Sequence, residues 1–339
     1  MSFSRSSASR ILATVALGAL ALTAGCSNSD GGASSESGSS ETRSFEANNG
    51  TIDIPVEPKQ VVSLARATPP LVVAEAPLVA TTPVSPDEKG LIPSDEASTT
   101  IDSLDVIESG SAKTNAGGGT EIDYEAIAAA EPDLIVSGFP APVEGDIDEE
   151  RLQEIAPTVF IGPKIPSEWR EVGEKAADAA GVADNFDKLK GEYDDKAAEL
   201  KKKYAETTKG ATFAAATLYD STEKGSYNRE YSGSFITNIP EDVGLEFPGG
   251  GDEFSQLVSL ENISDLDDAD AILVSTNPDG SIRDPRFEKE VMSTKAWKNL
   301  PAVKNDNVLK VPYLMSTTYA GALEGLDALD QQLDGLDLD

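Results

Sequence analysis

Apolar residues along this chain fall into two alternating rhythms. Val61 to Leu64, Leu134 to Val136 and Thr158 to Ile161 are short, branched or aliphatic runs bounded by turn residues, and they read as buried β-strands. Between the first two, Tyr124 to Ala130 is a helical run that stops at Glu131-Pro132, because the residue before a proline is pushed out of the helical region. The alternation returns later. Thr212 to Leu218, Ala271 to Val274 and Val308 to Val311 predict strands, with helices near Phe254 to Leu260, Phe287 to Ser293 and Ala320 to Leu333. Strands alternating with helices in two sets predict two α/β lobes.

The clearest helix lies between the two sets. Phe186, Leu189, Tyr193, Ala197, Leu200 and Tyr204 recur at spacings of 3, 4, 4, 3 and 4 among Asp, Glu and Lys, with Asp184 placed to cap the start. At about 1.5 Å per residue such a helix spans roughly one lobe's width. The expected plan is therefore one lobe over 51–183, a joining helix over 184–206 and a second lobe over 207–339.

The N-terminus has a different character. Ile11 to Ala24 is an apolar stretch behind Arg5 and Arg10, shorter than the ~20 residues of a bilayer-spanning helix, and fits a secretory leader over residues 1–25. It ends on Leu22-Thr23-Ala24-Gly25 directly before Cys26, the only cysteine. This resembles the bacterial lipobox, whose thiol is diacylated (palmitate among the expected chains) and becomes the new N-terminus. Residues 26–50, rich in Ser, Gly and acids, read as a flexible tether. The expected location is the extracytoplasmic face of the cell membrane.

Charge and composition narrow the function. Against 60 Asp and Glu stand 27 Lys and Arg, a net charge of −33, and removing the leader deepens it by two units. Such a surface repels nucleic acid and anionic headgroups, which favours attachment by an acyl chain. The chain has no histidine, so Ser-His-Asp and Cys-His catalysis and His-rich zinc sites are excluded. Gly117-Gly118-Gly119 and Gly249-Gly250-Gly251 lack the spacing and lysine of phosphate-binding loops. So many acids make any one carboxylate pair uninformative. Binding is favoured over catalysis, and no enzyme activity is expected.

Several segments carry a family resemblance. Pro55 to Leu64, PVEPKQVVSL, is similar to the opening strand of the iron-siderophore (class III) periplasmic binding proteins. Thr120 to Ile127 followed by EPDLIV, IAPTVFI at 155–161, SGSFITNIPEDVGLEFP at 232–248 and WKNLPAVKNDNVLKVP at 297–312 resemble later landmarks of that class, in order. The resemblance covers about residues 51 to 330. It departs where Pro69, Pro70 and Pro77 replace a usual helix over Arg66 to Ala80, and where residues 81–110 look like an irregular insertion. It implies two α/β lobes joined by one long rigid helix, with ligand in the cleft between them. The implied function is that of a substrate-binding lipoprotein of an ABC importer, which hands a ferric siderophore to a permease driven by an ATPase. Heme or cobalamin are the competing cargoes of the class. A surface lipoprotein that kept the fold without transport is the other alternative, and the proline-rich stretch favours it.

Ligands of open α/β sheets lie beyond the carboxyl ends of strands. Of seven arginines after the leader, Arg66, Arg229, Arg283 and Arg286 fall just past predicted strands or in adjoining loops. The planar guanidinium suits the oxygens of a chelate. Tyr219, Tyr227 and Tyr231 flank Arg229, and Tyr313 follows the last strand; their rings fit the wall of an organic-ligand site. Trp169, in SEWREVG, resembles a family position near the cleft, and Phe139 sits similarly after its strand. Iron already wrapped in a chelator needs no protein ligand, so neither metal site nor cofactor is expected. Glu121 and Glu241 match the positions where the resembled family docks on its permease, one on each lobe. A monomer is expected.

Overall fold

The strongest apolar runs build the centres of two open sheets. This computed structural model describes residues 41–108, 122–139, 147–249, 253–336 and 338. Residues 1–25, Cys26, the first part of the expected tether, Gly117 to Gly119 and Glu121 lie outside the described residues. From Ser40 onward the chain is one compact unit containing both sheets.

The N-terminal lobe begins with an antiparallel hairpin of β1 (Thr42–Ala47) and β2 (Gly50–Pro55). Its parallel sheet comprises β3 (Val61–Leu64), β4 (Leu78–Thr81), β5 (Asp105–Val106), β6 (Leu134–Ser137) and β7 (Thr158–Phe160), in the spatial order β5-β4-β3-β6-β7. Six helices fill the connections and lead out of the lobe: α1 (Thr68–Val73), α2 (Pro86–Lys89), α3 (Asp95–Ser103), α4 (Tyr124–Ala129), α5 (Glu149–Ile155) and α6 (Trp169–Ala179). Every residue of β3 and β6 is buried, as expected of parallel strands covered on both faces, and this is why they read as unbroken apolar runs. Asp123, Ser94 and Asp148 cap α4, α3 and α5 through their side-chain oxygens.

Three expectations for this lobe are corrected. The tether does not reach residue 50, because β1 and β2 bury Phe45 and Ile54 against the lobe and Arg43 pairs with Asp178 at 2.9 Å. The proline-rich stretch is a helix after all. Pro69 and Pro70 fall in the first turn of α1, where backbone N–H groups have no helical partner to lose. Nor are residues 81–110 irregular: they hold α2, with a Ser85/Glu88 capping box, α3 and β5.

The predicted joining helix is α7 (Ala183–Tyr204), 22 residues and about 33 Å long. Asp184 does not cap it. The N-cap is Val182, and Asp184 stands in the first turn, where its charge still complements the helix dipole. Through α7 the chain passes once from the first sheet to the second, β8 (Phe213–Thr217), β9 (Ser226–Glu230), β10 (Ser255–Ser259), β11 (Ala271–Thr276) and β12 (Val308–Pro312). Their order, β10-β9-β8-β11-β12, repeats that of the first lobe, but β9 and β10 run antiparallel. The remaining helices are α8 (Asn238–Asp242), α9 (Lys295–Asn299), α10 (Pro301–Lys304) and α11 (Tyr319–Asp334), and Phe287–Met292 forms a π-helical turn. The helix expected over Phe254 to Leu260 is instead β10 and the start of a 3-10 turn at Leu260–Leu266, since the free edge of β9 offers a ladder of backbone partners.

The lobes meet along α6, α7, α8 and α11. The Tyr319 ring lies 5.0 Å from Trp169 on α6, and 5.3 and 5.2 Å from Phe186 and Tyr193 on α7. Around it, Trp169 Nε1 donates to Asn238 Oδ1 at 3.0 Å, while Arg170 and the Tyr193 hydroxyl both donate to Asp242 Oδ2 at 2.5 Å. Replacing Tyr319 with alanine empties the centre of this cluster, and chemical denaturation is expected to show a loss of about 3–5 kcal/mol. An effect within about 0.5 kcal/mol would contradict its central role.

Candidate functional site

In each sheet the first central strand is flanked by strands whose connections leave in opposite directions, so the loops beyond its carboxyl end diverge and open a crevice. The loops after β3 and β8 face each other across one cleft of about 280 Å3. From the N-terminal lobe it receives Arg66 and Pro69 after β3, and Glu88, Leu91 and Ile92 from α2 and the turn beyond it. From the C-terminal lobe come Tyr219 after β8, Phe235 before α8, Arg283 after β11, and Met315 to Thr318 between β12 and α11.

Arg66 is placed by a strained turn. Ala65 has φ +53°, a left-handed conformation unusual without glycine, and its N–H is fixed by Thr82 Oγ1 at 2.7 Å. Beneath it the Thr68 hydroxyl hydrogen-bonds Ser63 and Thr81 at 2.8 and 2.6 Å. Gly138, after β6, lets the turn lie flat: a Cβ there would stand 2.4 Å from Ala67 N. The Arg66 guanidinium reaches across the cleft to within 6.0 Å of the Phe235 ring centroid and makes no hydrogen bond or ion pair with the described residues. Arg283 also spans the lobes, 3.7 Å from Asp87 of α2.

Behind Tyr219 lies Glu230, only 1% exposed. Its carboxylate accepts from Ser255 Oγ at 2.6 Å, and Oε2 has no partner. Burial, and then the neighbouring Glu230 carboxylate, push the Tyr219 phenol well above its ordinary range. Burial likewise raises Glu230, partly offset by hydrogen bonds from Ser255 and Ser234.

Of the residues selected from sequence, Arg66, Tyr219 and Arg283 converge on this cleft. The others do not line it. Arg286 supports it from behind, pairing with Asp284 at 2.6 Å and donating to Tyr219 O at 2.7 Å, so it holds the Tyr219 loop. Arg229, Tyr227 and Tyr231 were placed by assuming that every strand points its carboxyl end at the ligand, whereas β9 runs antiparallel to β8. Its end therefore sits at the opposite edge of the sheet. Arg229 lines a separate hollow there with Phe213 and Phe247, 5.5 Å from the Tyr231 ring, whose hydroxyl donates to Gln256. Tyr227 is fully buried in the core between the sheet and Trp297, its phenol pushed up to about 12 by burial. Trp169 belongs to the junction between lobes. Tyr313, at φ +61°, turns the chain out of β12 and packs against Gly325 of α11. Phe139 packs on the core around Ile135 and Phe160. Glu241 is half-buried and accepts from Gly233 N at 3.2 Å.

Sequence reasoning missed Glu88, Leu91, Ile92, Phe235 and the Met315–Thr318 loop. Two signals pointed there: the Ser85/Glu88 capping box, and Thr318 as N-cap of the last helix. The segments touch directly, since Ser316 Oγ lies 3.4 Å from Leu91 O. Gly321 permits the approach, as a Cβ there would stand 2.4 Å from Leu91 O. Among the described residues no cluster of His, Cys, Asp or Glu could hold a metal ion, and no helix is long and apolar enough to cross a membrane.

A family profile described as periplasmic binding protein matches residues 74–313. The chain is 28% identical over 314 residues to the probable siderophore-binding lipoprotein YfiY of Bacillus subtilis, covering 91% of each. It is 27% identical over 292 residues to the iron(3+)-hydroxamate-binding protein YxeB of the same organism, covering 82% of this chain and 80% of that one. Among solved structures, the siderophore periplasmic binding protein from the fuscachelin gene cluster of Thermobifida fusca superposes with a TM-score of 0.67 at 28% identity, over 84% of this chain and 99% of that one.

Two outcomes follow from this geometry. Gly321→Ala forces Leu91 away from Ser316 and is expected to cost about 1–3 kcal/mol, with hydrogen-exchange protection lost in residues 85–103. Glu230, with its proton affinity raised by folding, stabilises the fold while protonated and loses that contribution as pH rises through its folded-state titration. Denaturation of Glu230→Gln across that window should therefore show the variant gaining on the parent towards neutral pH; a difference independent of pH would reject this account.

Proposed function

The chain belongs to the periplasmic binding protein family, and we propose that it is the extracytoplasmic substrate-binding lipoprotein of an ABC importer, capturing a ferric siderophore and delivering it to the permease. The observation that carries this reading is the meeting of Arg66, Tyr219 and Arg283, from opposite lobes, in one apolar-walled cleft at the carboxyl ends of both sheets. Arginine forks and hydroxyls offer donors to the oxygens of a chelate, and the chelator itself fills the iron's coordination sphere. The names of YfiY, YxeB and the Thermobifida protein support the same cargo class.

In this reading the protein binds without turnover. Cys26 is the proposed lipid attachment point, which keeps the binding lobes near the permease and its ATPase and raises their effective concentration there. The reading of a surface lipoprotein without transport leaned on the absence of a helix after Arg66, and α1 removes that support. The protein is proposed to act as a monomer, docking on the permease through Glu121 and Glu241.

Intrinsic-fluorescence titration with ferric hydroxamates, ferric catecholates, heme and cobalamin tests the cargo. A ferric siderophore should quench, and Arg66→Ala and Arg283→Ala should each weaken its binding about 10- to 100-fold. Tighter binding of heme or cobalamin would replace the reading. Reversing the charges of Glu121 and Glu241 together should abolish uptake while leaving ligand affinity intact; Glu241→Gln, which still accepts from Gly233, separates charge from loop support.

A further inference from the structure

The charges around the cleft suggest which chelate it takes. Two guanidiniums, Arg66 and Arg283, are the cations lining it among the described residues, and neither is in excess. Arg283 is already faced by Asp87 at 3.7 Å. Glu88 lines the same wall, and its carboxylate is held in place by Ser85, whose N–H and hydroxyl donate to Oε2 at 3.1 and 2.8 Å. Glu230 lies buried behind Tyr219, with one oxygen unmet and no cation paired to it. Two positive groups are thus set against three carboxylates, on a chain of net charge −33.

Resting on the reading of this cleft as a ferric-chelate site, we propose that it selects an uncharged ferric trihydroxamate and discriminates against polyanionic ferric chelates. In a trihydroxamate, three monoanionic groups balance the ferric ion and leave a neutral complex. A tris-catecholate leaves three negative charges, and taking them out of water requires counter-charge that this cleft does not hold in surplus. The acidic surface repels such an anion before it arrives. Neutral chelates still present partly charged oxygens, to which Arg66 and Arg283 can donate without a net charge to neutralise. Leu91, Ile92, Phe235 and Met315 offer the apolar wall that a hydroxamate's carbon chain needs.

The test is competition on the full chain between ferrichrome, a neutral ferric trihydroxamate, and ferric enterobactin, a triply anionic tris-catecholate. Ferrichrome should bind at least about tenfold more tightly, with little dependence on salt, since little net charge is transferred. The double variant Asp87→Asn with Glu88→Gln should strengthen enterobactin binding by about tenfold, because it removes two repelling charges. Tighter binding of ferric enterobactin than of ferrichrome by the unmodified protein overturns the proposal and leaves the ferric-chelate reading standing. Absence of binding by both, together with binding of heme or cobalamin, overturns that reading and the proposal with it.

Discussion

The whole site depends on one junction, because two sheets joined by a single passage of chain form a cleft only if something fixes their angle. That passage is α7, and the packing that sets the angle is the cluster of Trp169, Phe186 and Tyr193 around Tyr319. The contacts draw on α6 of one lobe, the joining helix, and α11 of the other. Edge-to-face aromatic packing tolerates little sliding, and the hydrogen bonds to Asn238 and Asp242 add direction that dispersion alone lacks. With the junction set, Arg66 and Arg283 come to face the same space though more than two hundred residues separate them in sequence.

Strand direction is the second constraint. Each sheet brings its first central strand and the parallel strands beside it to the cleft, so the loops after β3, β8, β11 and β12 all deliver side chains there. The antiparallel β9 turns its far end away, and with it Arg229 and Tyr231. The same reversal sets Glu230 at the register of Ala215, two residues below the end of β8, where it underlies Tyr219 without lining the cleft. A buried carboxylate with an unmet oxygen is a cost that packing alone does not explain, and its position behind a cleft residue ties that cost to the site.

Backbone geometry completes the cleft at three points. Ala65 and Tyr313, both in left-handed conformations, turn the chain sharply out of β3 and β12. Gly138 and Gly321 leave room for backbone to lie against backbone where any larger residue would press the Arg66 turn or Leu91 aside. The helices α2 and α3 form the rim on one side, and contact the C-terminal lobe through Asp87 and Leu91.

Much was legible in the sequence because it is carried by local pattern. Continuous apolar runs marked β3, β6, β8 and β11, since a strand covered on both faces has no polar positions to spare; the 3-4 spacing marked α7; and loops past parallel strands pointed to Arg66, Tyr219 and Arg283. Short elements escaped. The β1–β2 hairpin, β9 and β10 alternate too briefly to stand out, and the segment from Phe254 to Leu260 fits a helix or a strand equally until a partner edge exists. The direction of β9 is not written in β9 itself, because alternation looks the same whichever way a strand runs. Hydrogen bonding to β8 decided it, and so decided that Tyr227 belongs to the core and Arg229 to the far edge. Local composition thus determined which elements form; only tertiary pairing, which depends on residues distant in sequence, decided which side chains reach the cleft.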